Sequence, residues 1–156
     1  MKSKLKLVGR AEVKVIGKDG RVRWTDGKLN LITNVGLAGL AGLFNGASVL
    51  PFKYIGLGMG TNPADAADVA LEDEVDFGGG ERKLADSIDQ VTDVITDDTS
   101  RIIATFDISQ DFTLSEIGMF DSLAGGVLGA HRVFVGQAIT AGESVVVTWT
   151  LTLAAA

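Results

Sequence analysis

The sequence predicts a mainly-β domain, a sandwich or a barrel, with one short helix. Short apolar stretches recur at regular intervals through the second half of the chain, and glycine-rich or aspartate-rich turns separate them. Helical spacing of apolar residues is found in one segment, near residues 34–45. The chain has 20 Gly and only 2 Pro among 156 residues, so its turns depend on glycine, which permits positive φ. This length fits a single domain.

The N-terminal region has the pattern of a basic β-hairpin. Basic and apolar residues alternate in Lys4-Leu5-Lys6-Leu7-Val8, and Glu12-Val13-Lys14-Val15-Ile16 repeats the alternation. A period of two is typical of a half-buried strand. Gly17-Lys18-Asp19-Gly20 predicts the turn, and Arg21-Val22-Arg23-Trp24 predicts the partner strand. We expect the basic residues to share one face and the Leu and Val residues to share the other.

The helix candidate combines an apolar stripe with regularly spaced glycines. Thr33 or Asn34 can cap its start, and Asn45-Gly46 can end it. Each glycine inside a helix costs about 1 kcal/mol relative to alanine, so these glycines predict close packing against a neighbouring element. The stripe consists of Leu37, Leu40, Ala41 and Phe44, and the glycines are Gly36, Gly39 and Gly42.

The rest of the chain alternates predicted strands with turns after one long loop. Phe52–Leu57 predicts a strand, and residues 58–81 predict a long loop in which Ala70-Leu71 is an anchor. In the last predicted strand, Val145, Val147 and Trp149 fall on one face. The further predicted strands are Arg82–Ser87, Val91–Ile95, Arg101–Ile108, Leu114–Phe120, Val127–Val135 and Ser144–Leu153.

Charge is divided unevenly along the chain. The net charge is −6, but residues 1–30 carry +6 and residues 31–156 carry −12. The basic strip can contact the acidic body within one subunit or across neighbouring subunits, or both can be solvated faces of one domain. The acidic total opposes non-specific nucleic-acid binding. The N-terminus has no apolar run typical of a signal peptide, and no stretch is long enough to span a membrane, so we expect synthesis in the cytoplasm.

Few residues are suited to catalysis or metal binding. The chain has no Cys and one histidine, His131, which we expect to be a partly exposed strand residue. Gly56-Leu57-Gly58-Met59-Gly60 is followed by Thr61 and so lacks the spacing of a dinucleotide loop. For a carboxylate-based glycosidase, Glu116 and Asp121 are the first residues to test. We expect no enzyme activity and no cofactor.

An acidic cluster lies within the long loop. It lacks the alternating oxygen-ligand spacing of a calcium loop, so we expect a solvated loop, or one that faces the basic strip, and no metal site. Its members are Asp65, Asp68, Glu72, Asp73, Glu74 and Asp76.

Three segments of the chain form an ordered set of motifs. The first is Asn30-Leu31-Ile32-Thr33-Asn34-Val35-Gly36-Leu37 with the helix. The second is Tyr54–Thr61 with Ala70–Val75. The third is Leu114–Asp121, followed by Gly126–Phe134 and Val146–Leu151. In their order and spacing, these segments resemble small structural proteins of tailed bacteriophages, above all head-decoration (auxiliary capsid) proteins, with a related pattern in tail-fibre and baseplate proteins.

This resemblance implies a single-domain β-sandwich, jelly-roll-like or β-tulip fold that forms a homotrimer and binds the major capsid protein on the virion surface. The chain ends soon after Leu153, which favours a stand-alone decoration module. The alternative is a tail-fibre or baseplate component, or a receptor-binding tail module that uses the 58–81 loop. We divide the chain into a basic segment, residues 1–28, and a β-rich body, residues 29–156. The predicted assembly contact consists of Lys2, Lys4, Lys6, Arg10, Lys14, Arg21, Arg23 and Trp24.

Overall fold

Two five-stranded antiparallel sheets pack as a β-sandwich, as the sequence predicts. The computed structural model describes residues 4–48 and 50–155. In spatial order, the first sheet consists of β2 (Val22–Leu29), β1 (Leu5–Ile16), β10 (Ser144–Ala155), β7 (Thr99–Asp107) and β6 (Ser87–Val91). The second sheet consists of β3 (Leu31–Ile32), β9 (Leu128–Ile139), β8 (Phe112–Phe120), β4 (Tyr54–Gly58) and β5 (Lys83–Leu84). One helix, α1 (Asn34–Asn45), connects β3 to β4.

The first and last strands of the chain form the centre of the first sheet. β1 pairs with β10 along its whole length, from Leu5 opposite Ala155 to Ile16 opposite Ser144. The predicted alternation is confirmed, because Val13 and Trp149 are inward-facing and buried in a core that both sheets share. Burying each such side chain contributes roughly 1.5–3 kcal/mol. The described part of segment 1–28 is therefore an integral part of the sandwich.

Helix α1 begins and ends where the sequence predicts. The hydroxyl oxygen of Thr33 accepts a hydrogen bond from the backbone N–H of Gly36 at 2.9 Å, which caps the first turn. Gly46 ends the helix in the left-handed region at φ 75°. A Cβ atom at Gly36 would overlap the carbonyl oxygen of Gly129 on β9. The glycine therefore allows the close approach that the sequence predicts.

Two predicted strands are wrong in their limits. Residues 92–98 form a turn after β6, not the strand Val91–Ile95, because the Asp98 carboxylate accepts hydrogen bonds from the backbone N–H groups of Asp93, Val94 and Ile95. The predicted strand Arg82–Ser87 is divided between β5 and the start of β6. In the described residues, no helix is long and apolar enough to cross a membrane.

Candidate functional site

Most of the predicted contact residues that the structure describes form an exposed basic face along β1. Lys6, Arg10 and Lys14 alternate with inward-facing residues and so lie on the outer side of the first sheet. Lys4 precedes β1 and is exposed, and Arg21 is exposed in the hairpin turn. Lys2 lies outside the described residues. We call Lys4, Lys6, Arg10, Lys14 and Arg21 the basic face.

Arg23 and Trp24, the other two predicted contact residues that the structure describes, make side-chain contacts within the chain. The register between β1 and β2 shifts at Val15/Ile16, and Arg23 falls at this irregularity. Its guanidinium donates to Glu143 at 2.7 Å and to the carbonyl of Ala138. This pairing with Glu143 raises the pKa of Arg23. Trp24 is half-buried and packs against the Phe134 ring, with the ring centroids 5.7 Å apart.

The acidic body does not neutralise the basic face. Within residues 4–48 and 50–155, the one ion pair made by this face is local, between Lys14 and Glu12 at 3.1 Å. Two carboxylates of the long loop have partners outside the basic face. Glu72 accepts hydrogen bonds from the backbone N–H groups of Thr61 and Asn62. Glu74 forms an ion pair with Arg82. The structure therefore leaves most of the basic charge facing solvent.

Beneath the long loop lies a buried ionic cluster of Glu116, His131 and Asp68. Glu116, on β8, is 0% exposed, and His131, on β9, is 3% exposed. His131 Nε2 lies 2.9 Å from Glu116 Oε2, and Nδ1 lies 2.8 Å from Asp68 Oδ2. The sequence-based expectation of a partly exposed histidine is therefore wrong, because the loop folds over this strand and covers the ring.

Glu116 organises the loop through its backbone. Its carboxylate accepts hydrogen bonds from the N–H groups of Gly60 at 3.1 Å, Glu72 at 3.2 Å and Asp73 at 2.8 Å. A Cβ atom on Gly60 would lie 2.5 Å from Glu116 Oε1, so the absence of a side chain there permits the contact. Buried carboxylates need such partners to remain ionised. The cluster thus fixes two parts of the loop to the second sheet.

The electrostatic environment favours the charged form of all three groups. Burial opposes ionisation of Glu116, but hydrogen bonds from His131 and the three backbone N–H groups outweigh it and lower the pKa of this carboxyl. Burial also opposes protonation of His131, yet its bonds to Glu116 and Asp68 raise its pKa. A neutral imidazole has one N–H donor, whereas both ring nitrogens face carboxylate oxygens. The geometry therefore fits an imidazolium held between two carboxylates.

The two carboxylates that would serve a glycosidase are both bonded to the backbone. Glu116 accepts from three N–H groups, and Asp121 accepts from the N–H of Val127 at 2.7 Å in the β8–β9 turn. Asp121 is 8% exposed. Both side chains thus hold a loop or a turn in this structure.

A wide apolar groove separates α1 from the end of the first sheet. Its volume is about 760 Å³. The predicted stripe of α1 lines this groove and is not packed into the core: Leu37 is 49% exposed and Phe44 is 75% exposed. Leu5, Leu151 and Ile88 line the opposite wall. Large apolar side chains gathered in one exposed place are typical of an interaction surface.

Comparisons with family models, with curated proteins and with solved structures each found no match to this chain.

Proposed function

We propose that this chain is a virion structural protein of a tailed bacteriophage: a capsid decoration protein that binds the outer surface of the head and stabilises it. The observation that supports this most directly is the exposed basic face. Three of its five residues lie on β1, which pairs with β10 along its whole length and with β2 from Arg10 onward, so these three charges have a fixed spacing. A rigid charged face is suited to a partner that presents complementary charge at fixed positions.

The proposed partner is the major capsid protein, through an acidic part of its outer surface. Exposed ion pairs contribute roughly 0.2–1 kcal/mol each, so this contact alone is weak. Burial of an interface of ordinary size, about 1,600 Å², adds to the affinity of each subunit. A homotrimer that engages several capsid subunits at once raises the overall affinity further. The chain therefore acts by repeated binding, without a chemical step.

A charge-reversal pair tests the proposal on the intact protein. Arg10→Glu changes the centre of the basic face, whereas Lys53→Glu makes the same change next to β4, on the second sheet. Binding is measured by co-sedimentation with purified heads that lack the protein. We expect Arg10→Glu to weaken binding by about tenfold or more and to reduce the salt dependence of binding. Lys53→Glu should bind as the unaltered protein does.

Deletion of residues 1–10 would be a poor test, because β1 begins at Leu5 and pairs with β10. Loss of binding would then be inseparable from loss of the fold. Equal binding by the Arg10→Glu and Lys53→Glu proteins would contradict the role of the basic face. If a label on the protein is found at the tail of intact virions, the protein is a tail component and not a capsid decoration protein.

A further inference from the structure

The end of α1 exposes an asparagine that is followed by glycine. Asn45 is the last residue of the helix, and Gly46 ends it in the left-handed region. Both residues are exposed, and a Cβ atom at Gly46 would contact nothing within 4 Å. Because glycine has no side chain, the peptide nitrogen between the two residues is open to the side-chain amide of Asn45.

A hydrogen bond holds the Asn45 amide beside this peptide. Asn45 Oδ1 accepts from the backbone N–H of Ala47 at 2.9 Å. The ring that this bond closes includes the nitrogen of Gly46, so the amide carbon of Asn45 is kept near that nitrogen. The Ala47 N–H also faces the oxygen on which negative charge develops when the amide carbon is attacked, and it stabilises that charge.

We propose that Asn45 is a site of spontaneous covalent modification, at which its side-chain amide becomes a carboxylate. The Gly46 nitrogen gives up its proton and forms a bond to the Asn45 amide carbon. The bond from that carbon to the amide nitrogen breaks, and the leaving group takes up one proton and departs as ammonia. Water then opens the cyclic imide at either carbonyl, which gives aspartate or isoaspartate. Water is the sole co-reactant, and the inference is independent of the proposed function.

The weakness of this end of α1 allows the reaction in the folded protein. The five-membered imide ring does not fit a helical backbone at Asn45, so the last turn must open first. Helix ends fray, and Gly39 and Gly42 lower the helix propensity near this end. The last turn also has no basic side chain to interact with its free carbonyl groups. Local opening therefore needs no unfolding of the sandwich.

The other asparagines provide a comparison within the same molecule. Of the four asparagines in the sequence, only Asn45 precedes a glycine. Asn62 precedes Pro63, whose nitrogen carries no hydrogen and cannot form the imide in this way. Asn30 and Asn34 precede branched side chains, which shield the peptide nitrogen. The modification is therefore expected at one position.

Peptide mass spectrometry of the full-length protein, incubated in its folded state at neutral pH, tests the inference. We expect Asn45 to convert about tenfold or more faster than any other asparagine. Gly46→Ala should slow the conversion by about tenfold or more, because the added methyl group obstructs the attack. Gly20→Ala is the matched control, since Gly20 also has a positive φ and open space around it but lies in the β1–β2 turn. Thermal melting checks that both variants fold.

The converted protein should also show faster hydrogen exchange in the last turn of α1, because the new carboxylate lies at the negative end of the helix dipole. Equal conversion rates in the Gly46→Ala and Gly20→Ala proteins would overturn the inference. So would an Asn45 that converts in urea but stays intact in the folded chain, because the end of α1 would then be closed to the reaction.

Discussion

The imidazole of His131 joins two carboxylates that lie on different parts of the chain. Glu116, its partner at 2.9 Å, is on the neighbouring strand β8, whereas Asp68, at 2.8 Å, is in the loop between β4 and β5. One ring thus connects the second sheet to the loop that covers it. Because the connection is ionic, the stability of the loop depends on pH.

Stability is expected to fall on both sides of a mildly acidic optimum. The pKa of His131 is raised on folding, so its contribution is complete below the unfolded value of about 6.5 and is lost as pH rises through the folded value. The pKa values of Glu116 and Asp68 are lowered, so their contributions are complete above about 4 and are lost as pH falls through the folded values. Urea unfolding at several pH values measures this profile.

Replacing His131 tests whether this residue causes the loss of stability as pH rises. In His131→Gln, one amide N–H group can still donate to Glu116, but no titrating cation remains. We expect a lower free energy of unfolding at pH 6, by about 2–4 kcal/mol, and little further loss toward pH 9. An equally steep loss of stability above pH 7 in His131→Gln would show that another group causes it.

The carboxylate of Glu116 is expected to control the order of the loop backbone. Glu116→Gln keeps the volume of the side chain but removes the charge and turns one acceptor oxygen into a donor that faces backbone N–H groups. Hydrogen exchange at Gly60 and Asp73 should become markedly faster, and unfolding should cost about 2–4 kcal/mol less.

Glu72→Gln is the matched control for this loop, since Glu72 accepts from the backbone of Thr61 and Asn62 at an exposed position. Its effect should stay local and below about 1 kcal/mol. Similar exchange rates in the Glu116→Gln and Glu72→Gln proteins would contradict the organising role of the buried carboxylate.

The sequence is sufficient to predict the sandwich and the helix, because both depend on local patterns. Alternation identifies the buried face of β1, and Thr33 and Gly46 mark the ends of α1. The sequence indicates a turn at Asp97-Asp98-Thr99 but not its start at residue 92, because the Asp98 carboxylate accepts the three N–H groups that strand partners would otherwise bind. Such a side-chain cap competes with strand formation at apolar residues such as Val94 and Ile95.

The ionic cluster could not be predicted because it depends on the register between strands and on the path of the loop. His131 lies opposite Gly118 in the β8–β9 pair, and Glu116 is two residues away on the same face. With this register in hand, a histidine diagonal to a glutamate would have indicated an ion pair. The contact with Asp68 depends on a long irregular loop, whose path no period in the sequence describes.

For the substitution Gly36→Ala, packing and helix propensity predict opposite changes in the free energy of unfolding. Replacing glycine with alanine inside a helix normally stabilises by about 1 kcal/mol. At Gly36 the added methyl group would overlap the backbone carbonyl of Gly129, so we expect Gly36→Ala to destabilise by about 1–3 kcal/mol. Thermal unfolding measures the change.

Ala38→Gly is the companion variant, because Ala38 is exposed on the same helix. Its free energy of unfolding should fall by about 1 kcal/mol, from helix propensity alone. A stabilised Gly36→Ala protein would show that α1 does not approach β9 closely in solution.

Arg82 is expected to be irreplaceable by lysine, because its planar guanidinium binds three different groups. It pairs with Glu74 through two hydrogen bonds, at 2.7 and 2.6 Å, and it donates to the backbone carbonyls of Ser122 and Gly125. Its Cζ atom lies 3.4 Å from the centroid of the Phe120 ring. These contacts join the end of the long loop to the β8–β9 turn.

We therefore expect Arg82→Lys to lower the free energy of unfolding by about 1.5–3 kcal/mol, because a single ammonium group cannot replace the bidentate pair and the stacking together. Arg101→Lys makes the same change where the pair with Asp89, at 3.2 Å, is well exposed, and it should cost less than about 0.5 kcal/mol. Urea unfolding of both variants gives the comparison. Equal losses would mean that Arg82 acts through its charge alone, and that its planar geometry does not hold the loop against the turn.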